Sequence, residues 1–329
     1  MILRALKILA LLTLFCFSCN SKFFTIVNIG DTQGLTESIS GKHLYWDMFR
    51  WIVAHKDSLN IVYVCQNGDN VQAPAQWQWD VVDSGYKILE NGAPDIAYGV
   101  AAGNHDIGAI RGYSLDTSFF RKTFSVSRLT SRAWFGGYGR DTSNYITYQK
   151  FSAYGLNFLA VCAGYLYSGT VQWGGDSCDF IPMTNFFDTL ISSNPGRLVL
   201  FTTHRWLSAT GLGSPGSLGA FRVVNGNWLE PHDEMFLTFS GHSGYVSHRR
   251  DTTDGGKFYY HTNFDMQNYM ANSDYLHYYV CDISNDSIHA YTFRVSTNTY
   301  IDTTDYQYPF KYSIKRLKCT KCGCYSCEH

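Results

Sequence analysis

Between Phe23 and Ala102 three short apolar runs alternate with two stretches of helical period. Phe23 to Ile29, Ile61 to Cys65 and Asp95 to Ala102 read as strands, rich in β-branched or small apolar residues. Between them, Leu44, Met48, Ile52 and Val53 share one helical face in residues 44–56, and Trp79, Val82, Tyr86 and Leu89 share another in residues 76–91. Helices of that length can carry the chain back over a sheet, which parallel pairing requires. The expectation is an α/β fold built on β-α-β-α-β. Each strand then runs into a polar cluster: Gly30-Asp31-Thr32-Gln33, Gly68-Asp69-Asn70 and Gly103-Asn104-His105-Asp106. In open α/β sheets ligands bind beyond the carboxyl ends of the strands, so the three clusters are expected to share one crevice.

The second half of the chain looks less helical. Residues 110–143 read as an insertion over the site, with a short helix near Leu115 to Phe124. Strands are expected at Asn144 to Gln149, Leu156 to Cys162, Arg197 to Thr203 and Met235 to Ser240, and a helix at Pro182 to Ser192. Further strands follow at Tyr245 to Arg249, Lys257 to Thr262, Leu276 to Asp282 and Ser287 to Phe293. Two of these strands end in a histidine, at Thr203-His204 and at Gly241-His242. An apolar content of 45% is enough for a sizeable core, and no break in composition calls for a second domain, so one domain is expected over residues 20–310. A formal charge of −1 gives no global field to draw nucleic acid or an anionic membrane.

The termini read differently. Arg4 and Lys7 precede an apolar run from Ile8 to Phe17, followed by small or polar residues. Residues 1–19 are therefore expected to be a secretory signal, too short to span a bilayer. Cys19 loosely resembles a lipoprotein acylation site, although Cys16 stands where a leucine is usual. Without Arg4 and Lys7 the charge goes from −1 to −3. Export permits disulfides, yet Cys65, Cys162 and Cys281 lie in apolar strand-like stretches and are expected to be buried free thiols. Residues 311–329 form a basic tail with Cys319, Cys322, Cys324, Cys327 and His329. Its two C-x-x-C pairs stand too close together for a zinc ribbon, which favours local disulfides over a small metal knuckle.

The five clusters, Asp31-x-Gln33, Gly68-Asp69, Gly103-Asn104-His105-Asp106, Thr203-His204 and Gly241-His242, follow in an order that resembles the calcineurin-like metallophosphoesterase superfamily. Its pattern is D-x-H, G-D-x-x-D, G-N-H-D/E, a lone His and G-H-x-H. The resemblance spans about residues 23–294. It implies a four-layer α/β sandwich of two facing mixed sheets flanked by helices, with a two-metal site at the C-terminal ends of the strands. It also implies roles. Asp69 matches the carboxylate bridging both ions. Asn104, His204 and His242 match the other ligands of the second position, and Asp31 and Gln33 match ligands of the first. His105 matches the general acid, oriented by Asp106. Two cations about 3.5–4 Å apart would hold a hydroxide and clamp the phosphoryl oxygens of an in-line displacement.

Three positions depart from that pattern. Gln33 stands for the usual His, Gln72 for the second Asp of G-D-x-x-D, and Gly244 for the last His of G-H-x-H. The second position keeps its imidazoles, which suits Zn²⁺, Fe²⁺ or Mn²⁺. The first is left with oxygen donors, so one tight and one weak metal site are expected. His248 lies four residues beyond Gly244, His261 and Asn263 sit in a polar-aromatic strand, and Arg249 and Arg250 follow the His242 loop. Each is a further candidate for the site.

The resulting expectation is a secreted or extracytoplasmic phosphoesterase. It would use a metal-activated hydroxide on a small phosphoester or a lipid head group, as mono- or diesters. A rival reading is a non-catalytic metal-binding module, and a second is a carbohydrate- or ligand-binding protein with Trp-rich loops around Trp77, Trp134 and Trp173. Neither the substrate nor the oligomeric state is legible in the sequence.

Overall fold

The computed structural model describes residues 22–108, 116–139, 146–164, 180–208, 210–211, 225–265, 273–285, 287–301 and 311–313. The leader with Cys19, Cys178, Trp173, the cysteine-rich tail and parts of the 110–143 and 206–230 stretches lie outside the described residues.

The first half follows the expected alternation. Strand β1 (Phe23–Ile29) leads through the short helix α1 (Gln33–Thr36) into α2 (Ile39–His55). Then come β2 (Ile61–Gln66), α3 (Gln76–Gly92) and β3 (Ala97–Val100). Helix α2 starts five residues before the apolar stripe at Leu44, because Ser38 caps it by accepting the Gly41 N–H at 2.9 Å. β3 is shorter than expected: Asp95 and Ile96 lie in a turn, and Ala101 to Gly103 already leave the strand.

The second half brings α4 (Ser118–Thr123), α5 (Val126–Thr130), β4 (Phe135–Tyr138), β5 (Ile146–Ala153), β6 (Leu156–Ala163) and α6 (Phe180–Ser192). The one helix expected near Leu115 to Phe124 is two short ones, and β4, with Gly136 and Gly137 inside it, carries too little apolar character to be read as a strand. Strands β7 (Arg197–Arg205), β8 (Met235–Gly241), β9 (Tyr245–Thr252), β10 (Phe258–Asp265), β11 (Tyr275–Asp282), β12 (Ser287–Arg294), β13 (Thr299–Tyr300) and β14 (Lys311–Ser313) complete the described chain.

These strands make two mixed sheets of seven. One runs β13-β12-β11-β1-β2-β3, with β14 also on β12; β1, β2 and β3 are parallel, and β11 is antiparallel to β1. The other runs β4-β5-β6-β7-β8-β10-β9, parallel from β6 through β10. Rings from the facing sides of the two sheets meet between them. Phe24 of β1 lies 5.3 Å from Phe158 of β6, Tyr63 of β2 stacks on Phe151 of β5 at 5.0 Å, and Tyr279 of β11 lies 5.4 Å from Phe239 of β8. The thiols of Cys65, Cys162 and Cys281 are buried and free, as expected.

Helices cover the outer faces. On the first sheet, Tyr45 and Phe49 of α2 pack with Tyr86 of α3, Phe49 and Tyr86 at 5.0 Å. On the second, Phe187 of α6 meets Phe201 of β7 at 5.9 Å. The layers are therefore α/β/β/α, and burying one aromatic side chain of this kind contributes about 1.5–3 kcal/mol.

Candidate metal centre

The five clusters come from both sheets. Asp31 follows β1, Asp69 follows β2 and Asn104-His105-Asp106 follows β3, all in the first sheet. His204 lies on β7 and His242 directly follows β8, both in the second. Asn67 ties the two: its Nδ2 donates to the carbonyl of Ser240 at 2.7 Å, and its own carbonyl lies 2.9 Å from His204 Nδ1. The packing leaves no room for side chains at two glycines. A Cβ on Gly103 would sit 2.1 Å from Asp69 Oδ1, and one on Gly68, at φ +99°, would sit 2.8 Å from His204 Nδ1. Asp69 and His242 themselves adopt φ 49° and 69°, left-handed backbone that costs about 1–2 kcal/mol per residue.

His204 Nε2 is the atom on which the candidate ligands of the second position converge. A carbonyl only accepts, so the Asn67 contact puts the ring proton on Nδ1, and the neutral ring presents a lone pair at Nε2. That lone pair faces Asn104 Oδ1 at 2.9 Å, His242 Nδ1 at 3.1 Å and Asp69 Oδ2 at 3.3 Å. Acceptor atoms this close need a proton or a cation among them. Ligand atoms about 2.0–2.1 Å from a Zn²⁺ ion, at angles of roughly 90–109°, lie roughly 2.8–3.4 Å from one another. The three separations measured from His204 Nε2 fall in or at the edge of that range, as ligands of one divalent ion would. Asp69, His204 and His242 are also the group of three among the described residues that brings ligating atoms within 4.8 Å of one another.

The electrostatics mark the same spot as wanting positive charge. Burial opposes ionisation at both Asp69 and His204, but their mutual attraction outweighs it, holding the carboxyl below and the imidazole above its usual range, so that without a cation a proton on Nε2 takes the place a cation would take. Burial, and then the adjacent His204 ring, hold His242 down to about 3, which keeps it in the neutral form that ligates.

The first position is all oxygen. Asp31 is fully buried; Oδ2 accepts the His242 N–H at 2.9 Å, while Oδ1 is buried with no hydrogen-bond partner. Gln33 Oε1 is buried and unpartnered too. Burial first, then repulsion from Asp265 and Asp69, push the Asp31 carboxyl well above its ordinary range. Buried oxygens without donors and carboxylates that repel one another suit a cation. Gly244, at φ 57°, supplies no side chain.

His105 is held twice. Its N–H donates to Asp69 Oδ1 at 2.9 Å, and its Nδ1 lies 2.9 Å from the Gln72 carbonyl. The expected orientation by Asp106 is not what the structure shows. Asp106 instead accepts from Gly103 N at 2.7 Å, Asn70 Nδ2 at 2.8 Å and Val71 N at 3.0 Å. It clamps the β2 and β3 loops together, and the proton on His105 Nδ1 is fixed by Gln72, whose side chain the sequence pattern had only marked as a departure. Burial and the Asp69 charge push Asp106 up to about 7, against the pull of its three donors.

The other candidates make contacts of their own. His248 packs against His277 with ring centroids 5.6 Å apart. His261 belongs to a buried network in which Trp206 Nε1 donates to its Nδ1 at 3.0 Å and its Nε2 lies 3.1 Å from Asp251 Oδ2. Asn263 Nδ2 donates to the Tyr245 carbonyl at 3.2 Å. Arg249 pairs with Asp251 at 2.9 Å, and Arg250 lies over the Phe258 ring at 4.4 Å. Three residues were missed. Asn67 orients His204, Arg205 lends positive charge that His242 feels, and Asp265 does the opposite at Asp31. Asp265 was hidden because its strand was expected to end at Thr262; the true end at Asp265 obeys the same strand-end rule.

No protein-family model matches the chain. A curated relative, the uncharacterized protein YvnB of Bacillus subtilis strain 168, is 27% identical over 303 residues, covering 88% of this chain and 21% of the relative. The chain thus spans about a fifth of that relative's length. Among solved structures, a purple acid phosphatase from yellow lupin (Lupinus luteus) seeds is similar with a TM-score of 0.51 at 13% identity, over 94% of this chain and 57% of the lupin protein. A dimetal phosphatase from Danio rerio is similar with a TM-score of 0.49 at 13% identity, over 83% of this chain and 96% of that one.

Proposed function

We propose that this chain, whose fold is that of the calcineurin-like metallophosphoesterases, hydrolyses phosphate mono- or diesters with divalent metal ions held at the strand ends. The observation that carries this reading is the convergence of Asn104, His242 and Asp69 donor atoms on His204 Nε2 within 2.9–3.3 Å. Asp69, Asn104, His204 and His242 would hold one ion; Asp31, Gln33 and Asp69 would hold the other. Bound there, the ions would polarise the phosphoryl oxygens and make a water nucleophilic near neutral pH. The chain's own residues supply the rest. His105 keeps its Nδ1 proton on the Gln72 carbonyl, so in the imidazolium form it would pass its Nε2 proton to the leaving-group oxygen and be left as the neutral ring. Arg205, next to His204 on β7, adds positive charge that His242 feels, which suits an anionic substrate.

The imidazole-bearing position suits Mn²⁺, Fe²⁺ or Zn²⁺ held tightly, and the oxygen position a harder ion held weakly. The substrate class is a small phosphoester or a lipid head group. The expected leader at residues 1–19 supports work outside the cytoplasm. No helix among the described residues is long and apolar enough to cross a membrane. The test is a panel of aryl phosphate mono- and diesters assayed with added Mn²⁺, alongside elemental analysis. Turnover that rises with Mn²⁺ and vanishes in His204→Ala is the expected result. Bound metal without turnover on any ester would favour the second reading, a metal-binding module, which the missing side chain at Gly244 motivates.

A further inference from the structure

The gap at Gly244 has a neighbour that the ligand pattern does not include. Strand β10 lies between β8 and β9, parallel to β8, with Asn263 level with Ser240. Two residues on, Asp265 ends the strand beside the Gly241-His242-Ser243-Gly244 loop. Its carboxylate is fully buried, and its Oδ2 accepts the Gly244 N–H at 2.7 Å. Among the described residues, a Cβ built on Gly244 would meet no atom within 4 Å, so none of them fills the space a side chain there would take.

We propose that Asp265 is a ligand of the first metal position, supplying from the adjacent strand the donor that Gly244 lacks. The inference rests on the metal-dependent reading above. Asp31 and Asp265 are both fully buried and both accept from the backbone of this one loop, Asp31 from the His242 N–H at 2.9 Å and Asp265 from the Gly244 N–H at 2.7 Å, so with Asp69 and the Gln33 amide they would make four side-chain donors. Independently of the carboxylate cluster, Asp31 Oδ1 and Gln33 Oε1 are buried at this end of β1 with no hydrogen-bond donor, a pair of oxygens waiting for a positive charge. Replacing an imidazole by a carboxylate changes the ion selected. Four oxygen-bearing side chains, three of them anionic, favour a hard divalent cation such as Mn²⁺, Mg²⁺ or Ca²⁺ over Zn²⁺.

The test uses the full chain, stripped by chelator and titrated with Mn²⁺ by calorimetry, as wild type and as Asp265→Asn. The variant keeps an oxygen that can accept the Gly244 N–H. Wild type should take up two ions, and the variant should keep the tighter one while its weaker affinity falls at least tenfold. Metal-free, the variant should melt above the wild type, because one of several repelling buried carboxylates is gone, and Mn²⁺ should raise its melting point less. A variant that melts lower when metal-free and gains as much from Mn²⁺ would make Asp265 only an anchor for the loop and overturn the proposal. So would wild type and variant each binding one ion equally well, although the metal-dependent reading would then stand. Wild type binding neither Mn²⁺ nor Zn²⁺ would overturn that reading and the proposal with it. Should the variant not fold, the anomalous map of wild-type crystals soaked in Mn²⁺ decides: the proposal needs a peak in contact with the Asp265 carboxylate, and a second-site peak away from it overturns the assignment.

Discussion

His105 and Asp106 are neighbours in sequence with separate tasks in the fold, and substitution should separate them. His105→Ala should leave the metal content unchanged while lowering turnover on esters with poor leaving groups by about 10²–10⁴-fold; loss of metal on elemental analysis would instead make the ring a ligand. Asp106→Ala strips three buried donors, Gly103 N, Val71 N and Asn70 Nδ2, of their acceptor. Each unsatisfied group costs about 1–3 kcal/mol, so the metal-free protein should lose about 3 kcal/mol or more in urea unfolding. The tetrapeptide Gly103-Asn104-His105-Asp106 was legible as a unit, but the direction of each side chain was not. A carboxylate beside an imidazole reads as its partner. Here the loop turns so that backbone N–H groups reach Asp106 first, and a main-chain carbonyl, which carries no sequence signature, takes His105 Nδ1. Gln78 has a comparable hidden role: its Oε1 accepts the Gln72 N–H at 2.7 Å and so steadies the segment that holds His105.

Strands and long helices were legible because their apolar periods are strong; β1 from Phe23 to Ile29 lies where its β-branched run puts it. The losses came at strand ends, where polar residues continue the ladder. β10 carries His261, Thr262, Asn263 and Asp265 in a fully buried stretch, where Thr262 Oγ1 donates to the Thr238 carbonyl and Asn263 Nδ2 to the Tyr245 carbonyl. Hydrophobicity could not see that extension, and with it went Asp265. Buried histidines on the strands have a consequence for acid stability. On β11, burial holds His277 down to about 3, with Nδ1 on Thr292 Oγ1 at 2.9 Å and the His248 ring beside it. An unfolded histidine titrates near 6.5. The folded value is depressed, so the stability it carries is whole above about 6.5 and is lost as pH falls through about 3. Metal-free protein should therefore weaken steeply below pH 6.5. His277→Gln, which cannot titrate, should lose some stability at pH 7.5 yet show a shallower acid limb, by at most about 1.4 kcal/mol per pH unit. Parallel urea midpoints from pH 7.5 to 4 check this, and identical slopes would place the acid sensitivity elsewhere.

At the scale of the whole molecule, the position of the ligands matters more than their identity. Asp31, Asp69 and Asn104 belong to one sheet; His204 and His242 belong to the other. No pair of them is close in sequence across that divide, which is why order and spacing pointed to the site before any contact was known. It follows that chelation should lower the melting temperature as well as abolish turnover. Each tenfold rise in free ion above its dissociation constant should add about 1.4 kcal/mol per site; a melting point indifferent to chelator and to added Mn²⁺ would exclude such coupling. An ion seated between the sheets acts as a rivet through two plates. The aromatic layer between the plates resists separation but not sliding, because apolar contact is without direction. Ligands fixed to each plate would resist sliding, so the sheets should be locked in register where divalent ions are plentiful and free to creep where they are scarce. The same few atoms would then set both how fast an ester is cut and how long the protein survives in the medium that feeds it ions.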